Sequence, residues 1–393
     1  MLTCVSLFCG CGGLDLGFSL QGFRTTAAFD LDADAAASFS ANLGVQPYVI
    51  DVSSGYPAEL RDSSPDVLLA GPPCQGFSTN GQTKSRDPRN SLLNVTASYV
   101  LALQPRAVVI ENVLGLLHSR FVHHLIALEG TLRLAGYRVE RLRLNAADFG
   151  VAQSRKRVFL VAYREKERAL GAPVKLPVGN LREALAGMAG LPDHAPKSLP
   201  SHTKHGRIAP HIGPGQRLSN VRFGPSYVKT WDLPGVFGAT SKFERLLLEA
   251  LSRERRRSRI RNFGDGDPVS ARRLLPWAGR PVAEALEGLE ARGYLRRVGT
   301  GFDLAHTYNG AYHRLRWEAF APTVDTKFGN PRLFLHPQAN RGFTVREAAR
   351  LQGFPDTFLL QGSTSSRYRQ VGNAVPPPVA RALARLVREV LWK

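Results

Sequence analysis

Over residues 1 to about 165, short apolar runs alternate with amphipathic stretches, a pattern that constrains the chain to repeated strand–helix–strand units. The strand-like runs are 2–8, 26–30, 48–51, 66–70, 106–110, 138–144 and 157–163. The spacing between them predicts helices over Asp32–Asn42, Ser91–Leu103 and Phe121–Ala135. Such units build an open, mostly parallel, doubly wound α/β sheet, and ligands of these sheets sit beyond the carboxyl ends of the strands. Residues that finish a strand are therefore the first candidates for chemistry.

Beyond this region the texture changes. From about 171 to 235, Pro, Gly, His and polar residues dominate, which reads as a loop-rich entry to a second domain. Helical patterns follow at Lys242–Ser252, Val269–Leu275 and Pro281–Arg292, then two short strands within Tyr294–Leu304 that turn at Gly299 and Gly301. Three helices and a basic hairpin over 241–305 fit a winged helix, a relative of the helix-turn-helix DNA readers. They fit an ordinary helical insertion equally well. Residues 341–353 and 377–393 are again helical in pattern, with a Gly/Ser-rich loop between them and no internal repeats anywhere. A length of 393 residues implies two domains, expected at 1–170 with 356–393 and at 171–355.

Composition narrows the function classes. Apolar residues make up 43% and charged residues 21%, which excludes a disordered or fibrous chain. Lys and Arg number 52 against 32 acids, giving +20 and a pI near 10.4. Solubility or an Arg-favouring codon bias could account for charge alone, but its distribution points to a polyanionic partner. Residues 201–320 hold 21 Lys/Arg and 11 Asp/Glu, with a dense cluster from Arg253 to Arg261. A solvated charge run would explain that cluster as readily as contact with a backbone of phosphates.

Four cysteines without paired spacing imply no disulfide framework and a reducing compartment. Cys9 and Cys11 lack a second ligand pair, and His202 and His205 read as loop residues, so no metal is expected. No run of 18 apolar residues and no leader pattern is present, so the expectation is the cytoplasm or nucleoid, without a membrane partner.

The motifs carry more. Phe8-Cys-Gly-Cys-Gly-Gly13 follows the first strand, where glycines permit a tight turn and close approach of a nucleotide-like ligand. Asp30 and Asp51 end the next two strands, where a carboxylate could meet a ligand hydroxyl or amine, or serve as a turn or cap residue. Gly71-Pro-Pro-Cys-Gln-Gly-Phe-Ser78 puts Cys74 in a loop stiffened by two prolines, at the ligand edge of the sheet. A lone cysteine is commonly a small buried apolar residue; this placement favours a nucleophile. Glu111 finishes the apolar strand of Val108-Val-Ile-Glu-Asn-Val113 and faces the same edge, as a hydrogen-bonding group or general acid beside the thiol. In Gln153-Ser-Arg-Lys-Arg157, strand alternation turns Arg155 and Arg157 to one surface.

In their order along the chain these motifs resemble the DNA (cytosine-5)-methyltransferase family, together with Thr344-Val-Arg-Glu-Ala-Ala-Arg-Leu-Gln-Gly-Phe-Pro355 and Gln370-Val-Gly-Asn-Ala-Val375. The resemblance covers roughly 1–165 and 341–393. It implies an S-adenosylmethionine-dependent, Rossmann-like methyltransferase sheet and a smaller target-recognition domain. It implies that Cys74 attacks C6 of the target cytosine and that Glu111 engages N3 and the exocyclic amine. Arg157 matches the arginine at the ring O2, and Arg155 its neighbour near the thiol and the DNA backbone. The cofactor would lie against Phe8, Gly10, Gly12, Gly13, Leu14, Asp30, Leu31, Asp51, Val52, Pro72, Asn373, Ala374 and Val375, leaving as S-adenosylhomocysteine. Ala374 stands where relatives carry Ser, and Asp30 where many carry Glu.

The resemblance further implies a base flipped from double-stranded DNA and an enzyme of bacterial restriction-modification type; a monomer is expected, with either a cognate endonuclease acting on the same site or, as a solitary methyltransferase of the same sequence, none. Two alternatives stay in view. A tRNA cytosine-5 methyltransferase shares the core, although its branch differs after the Pro-Pro-Cys and has a reduced recognition region. A non-catalytic DNA-binding regulator would be expected to have lost Cys74, Glu111 or the glycine loop, and all three are present. A nicotinamide enzyme is excluded by the absence of G-x-G-x-x-G in the first loop.

Overall fold

The computed structural model describes residues 1–61, 63–73, 92–165, 167–260, 266–278, 282–308 and 310–392. The chain opens with β1 (Thr3–Leu7), α1 (Gly13–Ser19), β2 (Arg24–Asp30), α2 (Ala33–Leu43) and β3 (Tyr48–Val49). Next come β4 (Val67–Ala70), α3 (Leu92–Leu103), β5 (Ala107–Val113), α4 (Val122–Leu134), β6 (Arg138–Asn145), β7 (Lys156–Tyr163) and the single turn α5 (Leu181–Ala184). The seven strands form one sheet in the order β3-β2-β1-β4-β5-β7-β6. Pairing is parallel from β3 through β5, and β7 runs antiparallel to both β5 and β6. The expected α/β sheet is therefore present, its order reversing outward from β1 and β4, where a crevice opens at the carboxyl edge.

Residues 195–317 and 328–344 form a second compact unit. It contains α6 (Lys204–Ile208), β8 (Arg217–Leu218), β9 (Tyr227–Val228), α7 (Pro234–Phe237) and α8 (Lys242–Arg257). It continues with α9 (Ala271–Ala278), α10 (Val282–Ala291), the hairpin β10 (Leu295–Val298) and β11 (Gly301–Leu304), then β12 (His313–Arg314) and β13 (Phe334–Leu335). Loops dominate its remainder and are tied by Arg314, a buried side chain that donates to the carbonyls of Ala209, Ile212, His336 and Ala339 and to Asn340 Oδ1. Val269, expected at the start of a helix, instead bridges antiparallel to Phe302.

The chain then returns to the first unit through α11 (Val345–Leu351), α12 (Thr364–Asn373) and α13 (Pro377–Leu391). Period-2 alternation divides each buried strand between two cores. Leu68 and Ala70 of β4 pack with α3 and α4, whereas Val67 and Leu69 pack with α1 and α13. Helices thus cover both faces. Gly17 lets α1 and α13 touch, since a Cβ there would lie 2.3 Å from that of Ala380.

The unit boundaries differ from those expected. Residues 171–194, 318–327 and 345–355 belong with the sheet, not with the second unit. The cause is hydrogen bonding that composition does not reveal. Leu181 N donates to Ala319 O, and Ala321 exchanges backbone bonds with Ala152 and Ser154. Arg346 is fully buried and donates to the carbonyls of Pro192, Pro355 and Phe358. The loop expected before α13 contains a ten-residue helix, α12, started by Ser363, whose hydroxyl accepts from Ser366 N. Among the described residues no helix is long and apolar enough to cross a membrane.

Candidate active site

At the carboxyl edge of the sheet lies a cavity of about 570 Å³, within the range of small-molecule sites. The loop after β1 forms its floor. Phe8 and Gly10 both adopt left-handed backbone (φ 54° each), which turns the chain sharply back toward α1. Gly10 N donates to Asp30 Oδ2 at 2.7 Å, joining the ends of β1 and β2, while Asp30 Oδ1 accepts from Asp32 N. Burial holds the Asp30 carboxyl above the usual range for an aspartate. Gly13 meets the C-terminal segment, where a Cβ would lie 2.4 Å from Val375 O.

Of the sequence-predicted cofactor residues, Phe8, Gly10, Gly13, Leu14, Asp30, Leu31, Asp51, Val52, Pro72, Asn373, Ala374 and Val375 all line this cavity. Gly12 lies behind the lining: its φ is 91°, and a Cβ would collide with Phe39 and Leu43, so its requirement is packing. Asp51 accepts from the amide and hydroxyl of Ser53, which hold its carboxyl below the usual range. Among the described residues, five carboxylate residues line the cavity (Asp15, Asp30, Asp32, Asp51 and Glu111) against one cation, Arg369, which is paired with Asp32 at 2.8 Å. Such a site favours a cationic ligand.

Glu111 borders the same cavity. Its carboxylate meets the guanidinium of Arg157, Oε1 to Nε 3.0 Å, with both side chains largely buried. The antiparallel register makes them a diagonal pair, since Glu111 stands opposite Phe159 and Val113 opposite Arg157. Arg155 precedes β7 and is buried, donating to Val324 O at 2.9 Å and Gly372 O at 3.0 Å. Cys74 lies outside the described residues; Pro72 and Pro73 before it line the cavity, and Asn112 Nδ2 donates to Pro72 O.

Further lining residues had no role assigned in the sequence reading, among them Asp15, Arg369 and Gln370, the last of these quoted only within a motif. Asp15 is fully buried, accepts from Ser6 Oγ at 2.9 Å and Thr25 Oγ1 at 3.1 Å, and is pushed up to about 6 by burial. Arg369 and Gln370 come from α12, whose buried face is largely polar and so carries no apolar period. An acid one turn into a helix that follows a glycine loop was the available signal for Asp15. The thiols of Cys9 and Cys11 are buried, with Cys11 pushed up to about 12, and no cluster of three or more metal-ligating side chains occurs among the described residues.

Comparison with known proteins places the chain in a family. The profile of the C-5 cytosine-specific DNA methylases matches residues 2–199 and 283–389. Type II methyltransferase M.DdeI of Desulfomicrobium norvegicum is 30% identical over 413 residues, covering 98% of this chain and 88% of that protein. Type II methyltransferase M.AgeI of Thalassovita gelatinovora is 28% identical, covering 98% of each. Among solved structures, the S. pombe Dnmt2 methyltransferase shares the fold, with a TM-score of 0.55 at 15% identity and full coverage of both chains.

Proposed function

Because the chain belongs to the C-5 cytosine-specific DNA methylase family, we propose that its cavity holds S-adenosylmethionine and that Glu111 and Arg157 seat the cytosine to be methylated. The observation that carries this reading is the meeting, at one cavity, of the glycine loop, two strand-end aspartates and the Glu111–Arg157 pair. The donor set fits the cofactor. Asp30 and Asp51 offer acceptors to ribose hydroxyls and the adenine amine, Phe8, Leu14 and Val52 offer apolar wall, and the surplus of acids suits a sulfonium and an ammonium. Pro72, Leu31, Asn373, Ala374 and Val375 complete the enclosure. When bound, the cofactor supplies an electrophilic methyl group.

The remaining work falls to side chains of this protein. C5 of cytosine is a weak nucleophile, and attack of the Cys74 thiolate on C6 converts the ring to an enamine whose C5 is electron-rich. Glu111 binds N3 and the exocyclic amine, favouring the ring once its aromaticity is lost. Arg157 holds the Glu111 carboxylate in place and reaches the ring O2. Arg155 is a positioning residue that fixes the start of β7 to the 324 loop and the end of α12. Loss of the C5 proton and of Cys74 then restores the ring. Attack from above the ring requires the base to leave the duplex. The basic second unit, residues 195–317 and 328–344, is assigned to target recognition in double-stranded DNA. The Type II names of the relatives support a modification enzyme of a bacterial restriction-modification system, paired with an endonuclease.

Transfer of a tritiated methyl from S-adenosylmethionine to unmethylated genomic DNA tests this, with Cys74→Ser alongside and bulk tRNA in a parallel tube. Label at cytosine C5 in DNA, abolished by the substitution, is the expected result. Label in tRNA alone would replace this reading with the tRNA enzyme.

A further inference from the structure

Residues 242–304 have an architecture of their own. In chain order they give a helix (α8), an isolated bridge residue (Val269), two helices (α9 and α10) and a hairpin (β10 and β11). Val269 and Phe302 exchange both backbone hydrogen bonds at 2.8 Å, so the small sheet runs Val269, β11, β10. The hairpin turns through Gly299, at φ 58°, with Val298 paired to Gly301. Helix, strand, helix, helix, strand, wing, strand is the winged-helix arrangement, and it decides between the two sequence readings. The module is built on a core that includes Leu248, Leu251, Val269, Leu286, Leu289 and Phe302, to which Val221 and Trp231 from the preceding segment add. A buried ion pair between Arg255 of α8 and Asp303 of β11 locks the hairpin to the first helix, and Arg296 adds a second contact to Asp303. Residues 200–282, which hold the first two of its helices, fall outside the part of the chain matched by the family profile.

Charge distribution tells which side of this module faces a polyanion. In a helix-turn-helix the first helix crosses the phosphate backbone and the second enters the major groove. Here the first, α9, carries Arg272 and Arg273, both exposed and without an acidic partner among the described residues. The second, α10, presents exposed Glu284 and Glu287, and its Glu290 is engaged by Arg297 of the wing at 2.9 Å. On a groove-seated helix these two carboxylates, which have no cationic partner among the described residues, would face phosphates on both sides, with only the cytosine and adenine amines as favourable donors.

We infer that residues 242–304 are a winged-helix module that grips duplex DNA by its phosphates through Arg272 and Arg273, with α10 held out of the groove by Glu284 and Glu287. The module would lengthen the footprint of the enzyme without adding to the sequence it reads. This rests on the DNA-methyltransferase reading.

The test uses the full-length protein and random-sequence duplexes of about 15 and about 40 base pairs, titrated over a range of salt. For Arg272→Gln/Arg273→Gln the expected result is affinity for the long duplex weaker by on the order of ten-fold. The log–log salt slope should be shallower by about 2, from two lost phosphate contacts. Methylated positions mapped by bisulfite sequencing should be unchanged. Glu284→Gln/Glu287→Gln should leave the methylated positions unchanged too. An unaltered salt slope in the arginine variant would overturn the inference. So would a shift in the methylated sequence on neutralising the glutamates, which would seat α10 in the groove. Failure of wild type to methylate any DNA would refute the enzymatic reading separately, because the binding titrations do not depend on turnover.

Discussion

Glu111 Oε1 stands 3.0 Å from Arg157 Nε, across the antiparallel register of β5 and β7 at the border of the acid-lined cavity. The carboxylate thereby arrives at the site with its charge compensated and its orientation set, as the proposed contact with a cytosine edge requires. Replacing Glu111 by Gln keeps the shape and removes the charge. Methyl transfer should fall by about 10²- to 10⁴-fold. S-adenosylmethionine binding, followed by calorimetry, should remain. Equal loss of both would mean that Glu111 serves the cofactor and not the base.

Gly13→Ala probes the closure of the cavity by the C-terminal segment. The added methyl would sit 2.4 Å from Val375 O and 3.2 Å from Ala374 Cβ, so backbone must move. Overpacking of this kind costs about 1–3 kcal/mol. We expect a lower melting temperature together with weaker cofactor binding; a variant that melts lower yet binds normally would separate the packing of this glycine from the site.

Arg155→Met removes a buried guanidinium and leaves the carbonyls of Val324 and Gly372 without that donor. The expected cost is about 1–3 kcal/mol for each acceptor left dry, seen as a lower denaturant midpoint. Residual turnover at low temperature should retain the wild-type pH profile, because a positioning residue moves no proton. A changed profile in a stably folded variant would make Arg155 part of the chemistry.

Asp15 supplies a pH dependence whose sign follows from its burial. Its folded value is raised from 3.8 to about 6, so its protonated form is favoured by folding. The stabilisation this brings is complete below about pH 4 and is lost as pH rises through about 6. Comparing denaturant midpoints of wild type and Asp15→Asn from pH 4 to 7, the wild type should lose ground to the variant as pH increases. A gap independent of pH would show that Asp15 titrates as an exposed acid does.

The sheet was readable because its central strands are buried on both faces, so β4 and β5 appear as unbroken apolar runs such as Val67–Ala70. The cavity was readable for the same reason: its residues terminate those runs. The missed α12 packs Ser366, Gln370 and Gly372 inward, and a polar buried face leaves no hydrophobic period to detect. Gly12 and Gly13 are adjacent in sequence and differ in duty, which only their neighbours Phe39 and Val375 reveal. The domain edges were misplaced because buried arginines such as Arg346 hold loops through carbonyls, a contact that any sequence could make. The Pro-Cys and Glu-Asn-Val elements are the most specific sequence signals; Cys74 of the first lies outside the described residues, and Glu111 of the second borders the cavity.

The contact that Gly17 permits between α1 and α13 has a consequence for how the protein comes off the ribosome. Its two partners, Gly17 and Ala380, stand 363 positions apart in the chain. At about 5–20 residues per second, the apolar face of α1 waits on the order of half a minute for its cover. The same final stretch brings Asn373, Ala374 and Val375 to the cavity wall. A nascent or prematurely terminated polypeptide can therefore complete the second unit, which ends at Thr344, while the cavity of the first still lacks a side. Methylation has to wait until α13 has been translated, and until then the exposed α1 face is a natural target for chaperones.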